Sequence, residues 1–156
     1  MFYRKTDELT DDEMSIRTEV FVDEQGFEDE YDEIDDESHH IILYDDEGKP
    51  AGCCRIYGSE DKESGEYHVG RVALKKQYRG NGYGAQIMQK AIQWVWEMNT
   101  EKHAIKPRDN KLKIVVSSQT RVRGFYESLG FVAEGKEYLD QFCPHIKMVY
   151  TMELKE

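Results

Sequence analysis

Short apolar runs that predict β-strands dominate the first half of the chain. They are rich in β-branched and aromatic residues and are separated by polar turns. The runs cover residues 1–5, 40–44, 51–57 and 66–74. Asp45-Asp46-Glu47-Gly48, between the second and third run, is typical of a hairpin turn. We therefore expect an antiparallel meander in this half of the chain.

One helix is predicted between the first two strands. Thr10 is followed by Asp11, Asp12 and Glu13, which fits an N-cap with acidic residues at the positive end of the helix dipole. The helix is expected to run to about Val22. Its apolar side is formed by Met14, Ile16, Val20 and Phe21.

Helical spacing appears in the second half. A long helix is predicted from Gly82 to about Asn99, because apolar residues recur on one of its faces. They are Ile87, Met88, Ala91, Ile92, Val95 and Met98. A shorter helix is expected at 119–129, stopped by Gly130.

The remaining runs of the second half predict three strands. They cover residues 113–116, 132–138 and 147–152. A loop carrying Pro144 and His145 is expected between the last two. The order β-α-β-β-β-α-β-α-β-β predicts a single α/β domain over residues 1–156.

Charge is unevenly distributed, and this bears on the choice of partners. The net charge is −11, but residues 1–70 hold 6 basic and 23 acidic residues, whereas residues 71–156 hold 15 basic and 9 acidic ones. A polyanion would be repelled by the first part, which would attract a cationic substrate. The distribution disfavours a nucleic-acid-binding protein.

Residues 23–37 form the most acidic segment, with ten Asp or Glu residues among fifteen and no basic residue. The ligand spacing of an EF-hand is missing, so a calcium site is not favoured. The segment is either a solvated loop or the border of a cationic substrate's path, and we prefer the second interpretation. The residues expected to attract that substrate are Glu28, Asp29, Glu30, Asp32 and Glu33.

The cysteines and histidines show no pattern of a disulfide framework or a metal site. Cys53, Cys54 and Cys143 are odd in number, and two are adjacent on a predicted strand, which favours reduced, inert thiols. His39-His40 and His145 lack the spacing of a zinc site, so no metal is expected.

The chain carries no signal of a membrane or of secretion. The residues that follow Met1 lack the apolar segment of a signal peptide, and no run reaches the length of a membrane span. We expect a soluble, cytoplasmic protein.

The most informative segment runs from Arg71 to Ala85. A strand ends, a basic loop follows, and Gly80, Gly82 and Gly84 open the long helix. Glycines there let an anion approach backbone N–H groups at the positive end of the helix dipole. The segment predicts a site for a diphosphate.

Two other phosphate-binding motifs fit less well. Gly80-x-Gly82-x-x-Ala85 satisfies the dinucleotide fingerprint, but the strand that leads into it is preceded by three other strands and a helix, and the strand at 113–116 is not followed by an acidic residue. A P-loop is excluded because no Gly-Lys-Ser/Thr occurs.

The glycine segment resembles a known family. Arg79-x-x-Gly82-x-Gly84 is similar to the acetyl-CoA-binding motif of the GNAT N-acetyltransferases, and Phe125-Tyr126-x-x-x-Gly130-Phe131 strengthens the likeness. Two further segments resemble the bacterial ElaA-like subgroup: Arg17-x-x-Val20-Phe21-Val22-x-Glu24-Gln25, and the stretch from Tyr138 to Met148. The resemblance covers essentially the whole chain and implies a mixed sheet of about six or seven strands with flanking helices.

The resemblance implies acetyl-CoA as co-substrate and a direct transfer of its acetyl group to a primary amine in a ternary complex. Backbone groups of Val72, Ala73 and Leu74 would align the pantetheine arm and polarise the carbonyl. Lys75, Lys76 and Arg79 would add positive charge, with a solvated surface position as the alternative for each lysine. The diphosphate would bind the backbone N–H groups of Arg79, Gly80, Asn81, Gly82, Tyr83 and Gly84.

Three residues are candidates for proton transfer. Tyr126 lies where GNAT enzymes commonly place the acid for the leaving thiolate, although a core tyrosine is the alternative. His68 stands where some members carry a glutamate base, and it titrates near neutral pH, although a structural histidine is the alternative. Glu66 lies on the same face of the strand and is the reserve base.

Two functions remain open. The chain is an N-acetyltransferase with a cationic amine acceptor, or it is a GNAT-like domain that binds acyl-CoA as a sensor or interaction module without turnover. The glycine turn and Tyr126 favour the enzyme, whereas the missing strand glutamate favours the module. Neither nucleic acid nor a membrane is expected as a partner, and the oligomeric state is open, a homodimer included.

Overall fold

The predicted alternation of strands and helices is present in the computed structural model, which describes residues 1–28 and 30–154. The strands are β1 (Phe2–Thr6), β2 (His39–Tyr44), β3 (Pro50–Gly58), β4 (Glu66–Leu74), β5 (Lys111–Gln119), β6 (Val132–Asp140) and β7 (Cys143–Glu153). The α-helices are α1 (Asp11–Arg17), α2 (Ile34–Glu37), α3 (Tyr83–Thr100) and α4 (Arg123–Ser128). A π-helical segment continues α1 over Thr18–Glu24, and 3-10 turns cover Lys62–Ser64, Lys76–Tyr78 and Thr120–Val122.

The strands form one mixed seven-stranded sheet, which confirms the predicted fold class. Its order is β1-β2-β3-β4-β5-β7-β6. β4 and β5 run parallel, with His68 opposite Val115, and α3 supplies the long connection that a parallel pair requires. The pairs β1–β2, β2–β3, β5–β7 and β6–β7 are antiparallel.

The described chain folds as two compact units. The first comprises residues 1–57 and 69–93, and the second comprises residues 58–68 and 94–156. The division falls within β4 and within α3, so each of these elements contributes residues to both units. The single domain predicted over residues 1–156 stays a prediction.

In the first unit, α1 begins as predicted. The Thr10 hydroxyl accepts a hydrogen bond from the Glu13 N–H at 3.2 Å, which is the expected N-cap. Ile16 and Val20, four residues apart, are buried in a core with Ile42 and Cys53. Met14 was predicted on this apolar side but is exposed, because a residue two positions from Ile16 points to a different face of a helix.

The apolar stripe predicted for α3 is confirmed. Ile87, Met88, Ala91 and Val95 are fully buried, and Ile92 and Met98 are partly buried.

The structure corrects two predicted boundaries in the second unit. β5 continues to Gln119, where it pairs with His145, so the helix expected at 119–129 is a 3-10 turn followed by the shorter α4. Pro144 and His145 were predicted in a loop but lie in β7, because proline is tolerated at the start of a strand. Gly130 ends α4 with a φ of 97°, as predicted.

Candidate active site

The glycine turn before α3 has the geometry of an anion-binding turn. Gly80 and Gly82 have φ values of 86° and 80°, in the left-handed region that favours glycine. A Cβ atom built on either residue would have no atom within 4 Å, so the space beside the backbone is open. The Gln86 N–H donates to the Gly82 carbonyl at 3.2 Å, so the helical hydrogen bonds begin here. Amides of a first helical turn have no acceptor within their helix and can face an anion.

Arg79 is held by hydrogen bonds to three other residues. Its N–H donates to the Lys76 carbonyl at 3.2 Å, and its Nε donates to the Leu74 carbonyl at 2.9 Å. Its guanidinium donates to both Glu24 oxygens, at 2.6 and 2.8 Å. Arg79 therefore links the glycine turn to the end of β4 and to the π-helical segment, and Glu24 offsets its charge.

The end of β4 packs closely against β3. Ala73 is buried, whereas Val72 and Leu74 are partly exposed. A Cβ built on Gly52 would lie 2.9 Å from Leu74 Cδ1 and 3.0 Å from the Ala73 carbonyl oxygen, so a larger residue there would crowd this stretch. The Lys75 N–H donates to the Ala51 carbonyl at 2.9 Å and ends the strand.

His68 and Glu66 lie on β4 two residues apart and are half-buried, so they share one face of the strand, as predicted. Burial lowers the pKa of His68 below its ordinary value; Lys147 lowers it further, and Glu66 raises it. A lowered pKa favours the neutral imidazole, which is the state that a general base needs.

Tyr126 lies on α4 and is buried. Its ring makes edge-to-face contacts with Phe125 and Phe131, with centroid distances of 5.0 and 5.6 Å. Phe131 in turn packs against Tyr150 at 5.5 Å. This packing is compatible with both interpretations of Tyr126 from the sequence, the catalytic acid and the core tyrosine, because each requires a ring that is held in place.

The acidic segment is not a uniform solvated loop. Glu30 and Asp35 are buried, whereas Glu28, Glu33, Asp36 and Glu37 are exposed. Asp29 lies outside the described residues. Of the two interpretations from the sequence, the solvated loop is therefore wrong for Glu30 and Asp35.

The buried acids belong to a ring of alternating charges, which we call the arginine–carboxylate ring. It consists of Arg17, Glu30, Arg71, Asp32, Arg55 and Asp35, and each member contacts the next, with Asp35 returning to Arg17. The N···O distances range from 2.6 Å for Arg55–Asp32 to 3.4 Å for Arg71–Asp32. Multiple Arg–carboxylate hydrogen bonds offset the cost of burying Arg17, Glu30, Arg55 and Asp35, whereas Arg71 and Asp32 are partly exposed.

A buried histidine lies beside this ring. His40 Nδ1 is 2.9 Å from both oxygens of Glu13, and Arg17 donates to the same carboxylate at 2.8 Å. Burial alone would lower the pKa of His40. The hydrogen bond to Glu13 and the negative charge of Glu13 raise the pKa of His40 above the ordinary value. Candidate metal-ligand atoms of Glu13, Asp35 and His40 lie within 4.8 Å of one another. Arg17, however, donates hydrogen bonds to the carboxylates of Glu13 and Asp35, so its guanidinium supplies the positive charge that a metal ion would supply.

The sequence analysis did not foresee the ring. One signal was available: Glu13, Ile16, Arg17 and Val20 recur at helical spacing, so two charged residues share the buried face of α1. A buried arginine requires carboxylate partners, and the acidic segment supplies them. Which acids reach Arg17 depends on the path of the chain, which the spacing does not reveal.

The cysteines have no geometry of a nucleophile. Cys53 and Cys54 are fully buried on β3, and burial raises the pKa of both thiols, so they stay protonated at neutral pH. Cys143 is partly buried, and all three are free of disulfide bonds, as predicted.

The family follows from comparison with known proteins. The sequence model of the Acetyltransferase (GNAT) domain matches residues 5–152, so the chain belongs to the GNAT acetyltransferase family. It is 34% identical over 148 residues to an uncharacterized N-acetyltransferase, YjcF, of Bacillus subtilis (strain 168), covering 93% of this chain and 94% of that one.

Solved structures share the fold over nearly the whole chain. An acyl-CoA N-acyltransferase from Pseudomonas aeruginosa is similar with a TM-score of 0.76 and 26% identity, covering 95% of this chain and 97% of that chain. Escherichia coli ElaA has a TM-score of 0.74 and 24% identity, with the same coverage. The predicted family and the likeness to ElaA are confirmed. None of the described helices is long and apolar enough to cross a membrane.

Proposed function

We propose that the protein is an acetyl-CoA-dependent N-acetyltransferase that moves an acetyl group to a primary amine by direct transfer in a ternary complex. The observation that carries the proposal is the glycine turn, in which left-handed Gly80 and Gly82 leave open space at the start of an 18-residue helix. The name of the structurally similar Pseudomonas protein, an acyl-CoA N-acyltransferase, supports the same donor class and a nitrogen acceptor.

The backbone around α3 and β4 would hold the co-substrate. The N–H groups of residues 80–84 would bind the diphosphate, because the glycines admit close approach and the helix dipole favours negative charge. The N–H of Arg79 already bonds Lys76, so Arg79 contributes by fixing the turn. Backbone groups of Val72–Leu74 would align the pantetheine arm and polarise the thioester carbonyl.

The transfer needs a base and an acid. His68, or Glu66 in its place, takes a proton from the ammonium form of the acceptor, and the neutral amine attacks the carbonyl carbon of the thioester. The nitrogen of the tetrahedral intermediate loses its second proton to solvent. The intermediate then collapses, its carbon–sulfur bond breaks, and the thiolate of CoA leaves. Tyr126 donates its proton to that thiolate and regains one from solvent. The products are the acetylated amine and free CoA.

Amine-dependent release of CoA tests the proposal. Purified protein is mixed with acetyl-CoA and a panel of amines that includes a polyamine, an aminoglycoside, a lysine-containing peptide and an anionic amine, and the free thiol is measured. We expect release with at least one amine and a product heavier by one acetyl group. Binding of acetyl-CoA without release for any amine would contradict the enzyme and favour the sensor.

A further inference from the structure

One member of the arginine–carboxylate ring, Arg71, lies on β4, the strand predicted to bind the pantetheine arm. Its φ is 48°, a left-handed conformation that residues with a side chain rarely adopt. Arg71 lies inside β4 and directly precedes Val72, Ala73 and Leu74. A left-handed residue inside a strand changes the direction of the backbone that follows it.

The side chain of Arg71 is anchored in the ring. Its Nε lies 2.8 Å from a carboxylate oxygen of Glu30 and 3.2 Å from the Glu30 carbonyl oxygen, and its Nη2 lies 3.4 Å from Asp32. Glu30 is fixed in turn by Arg17, which donates to the same carboxylate at 2.9 Å and to the same carbonyl at 2.8 Å. Arg17 is completely buried, so the anchor rests on the core of the first unit.

The backbone on either side of this contact has little freedom. Cys53 Sγ lies 3.5 Å from the Arg71 carbonyl oxygen, and Gly52 allows Ala73 and Leu74 to approach β3 closely. The conformation at residue 71 therefore decides where the N–H and carbonyl groups of the next three residues point.

We infer that Arg71 is a positioning residue, whose salt bridges with Glu30 and Asp32 select the left-handed backbone that aims Val72–Leu74 at the acyl thioester. The inference rests on the proposed function, because that function assigns the alignment of the thioester to these backbone groups. It gives part of the acidic segment a role that the sequence did not indicate: Glu30 and Asp32 act on the transfer through Arg71.

A purely electrostatic role is the competing explanation, in which Arg71 only neutralises Glu30. The two explanations differ for substitutions that remove the charge equally but tolerate a left-handed backbone differently. Glycine adopts positive φ readily, whereas alanine does not. Asparagine and glutamine form a second matched pair, because both are neutral amides and only asparagine is enriched at positive φ.

The experiment compares Arg71→Gly with Arg71→Ala, and Arg71→Asn with Arg71→Gln in case the alanine variant does not fold. We expect kcat of Arg71→Ala to fall at least tenfold and that of Arg71→Gly to stay at least threefold above it, with the amide pair in the same order. The dissociation constant of acetyl-CoA should change less than threefold, because the glycine turn is intact. Arg108→Ala, which loses exposed salt bridges to Asp61 and Glu63, is the control and should keep wild-type kcat.

A conformational measurement separates this inference from the proposed function. The three-bond HN–Hα coupling and the carbon shifts of residue 71, measured by NMR without co-substrate, should report positive φ in the wild type and in Arg71→Gly but a shift toward extended backbone in Arg71→Ala. Equal kcat within each matched pair, or an unchanged conformation in Arg71→Ala, would overturn the inference. Failure of the wild type to acetylate any amine would overturn the proposed function instead.

Discussion

At the scale of single residues, Tyr126 offers the clearest test of the chemistry. Tyr126→Phe should lower kcat about tenfold or more, because the leaving thiolate loses its proton donor. The affinity for acetyl-CoA should change little, since the hydroxyl acts only as sulfur departs. Turnover kinetics and calorimetry measure the two quantities. Tyr150→Phe, a neighbour of Phe131, is the control, and equal turnover of wild type and Tyr126→Phe would remove Tyr126 from the mechanism.

The lowered pKa of His68 predicts how kcat/KM depends on pH. Because burial lowers its pKa below the ordinary value of 6.5, kcat/KM of the wild type should rise with pH through an apparent pKa below 6.5 and then level off. His68→Gln should lower kcat/KM about a hundredfold and abolish that limb. If the limb persists in His68→Gln and disappears in Glu66→Gln, Glu66 is the base.

Gly82 tests the diphosphate turn. Gly82→Asp should weaken acetyl-CoA binding at least about tenfold more than Gly82→Asn, because the two side chains have nearly the same shape and only aspartate repels the phosphates. Asparagine also tolerates the left-handed backbone at this position. Calorimetry on both folded variants gives the comparison, and equal dissociation constants would place the diphosphate elsewhere.

At the scale of elements, the segment around α2 acts as part of the core of the first unit. The element is only four residues long, Ile34–Glu37, and it is held by Asp35, whose carboxylate accepts hydrogen bonds from Arg17 and Arg55. A short helix of this kind has little stability of its own. The salt bridges therefore decide its position.

Asp35 predicts acid lability of the fold. Burial would raise its pKa, but hydrogen bonds from Arg17 and Asp32 and nearby charge lower it to about 2. A lowered pKa means that stability is present above about pH 3.8 and is lost as pH falls toward 2. We expect Asp35 to contribute about 2 kcal/mol of this loss, seen in urea unfolding at pH 7, 4 and 2.5.

Matched substitutions isolate that contribution. Asp35→Asn should be less stable at neutral pH by about 3 kcal/mol, because Arg17 and Arg55 each lose one buried carboxylate partner, and should lose less further stability in acid. Asp36→Asn removes an exposed neighbour and should follow the wild-type curve. If Asp35→Asn and the wild type lose stability in parallel below pH 4, the acid lability has another origin.

At the scale of the whole molecule, the charge asymmetry still favours a cationic acceptor, but through fewer residues than the sequence suggested. The ring pairs Glu30, Asp32 and Asp35 with arginines, whereas Glu28, Glu33, Asp36 and Glu37 of the same segment are exposed and can face a substrate. Neutralising these four as amides should raise the KM of a cationic acceptor roughly threefold at low salt and spare acetyl-CoA affinity.

The dependence on salt and a second set of substitutions test whether the exposed acids attract the acceptor electrostatically. The effect should shrink at physiological ionic strength, where exposed charges are screened over about 8 Å. Neutralising Glu8, Asp46, Glu47 and Glu60, which are equally exposed, changes the net charge by the same amount and should leave KM nearly unchanged. If the KM of the acceptor changes neither with salt nor with either set of substitutions, the acids of the segment at 23–37 only solvate the surface.

Much of the fold follows from local patterns in the sequence. Short apolar runs mark β2, β3 and β4, the spacing of Ile87, Met88, Ala91 and Val95 marks α3, and Gly80 and Gly82 mark a turn with left-handed backbone. These features are set by residues close together in the chain, so the sequence alone determines them.

The tertiary structure decided which charged residues are buried together. Arg17, Glu30, Arg55 and Arg71 come from four separate segments, and only the pairing of strands and the packing of α1 brings them into contact. The same contacts hold the left-handed backbone of Arg71, which a strand pattern would assign as extended. Charge composition showed that the segment at 23–37 is acidic, but the fold decided that Glu30, Asp32 and Asp35 pair with arginines and that Glu30 and Asp35 are buried.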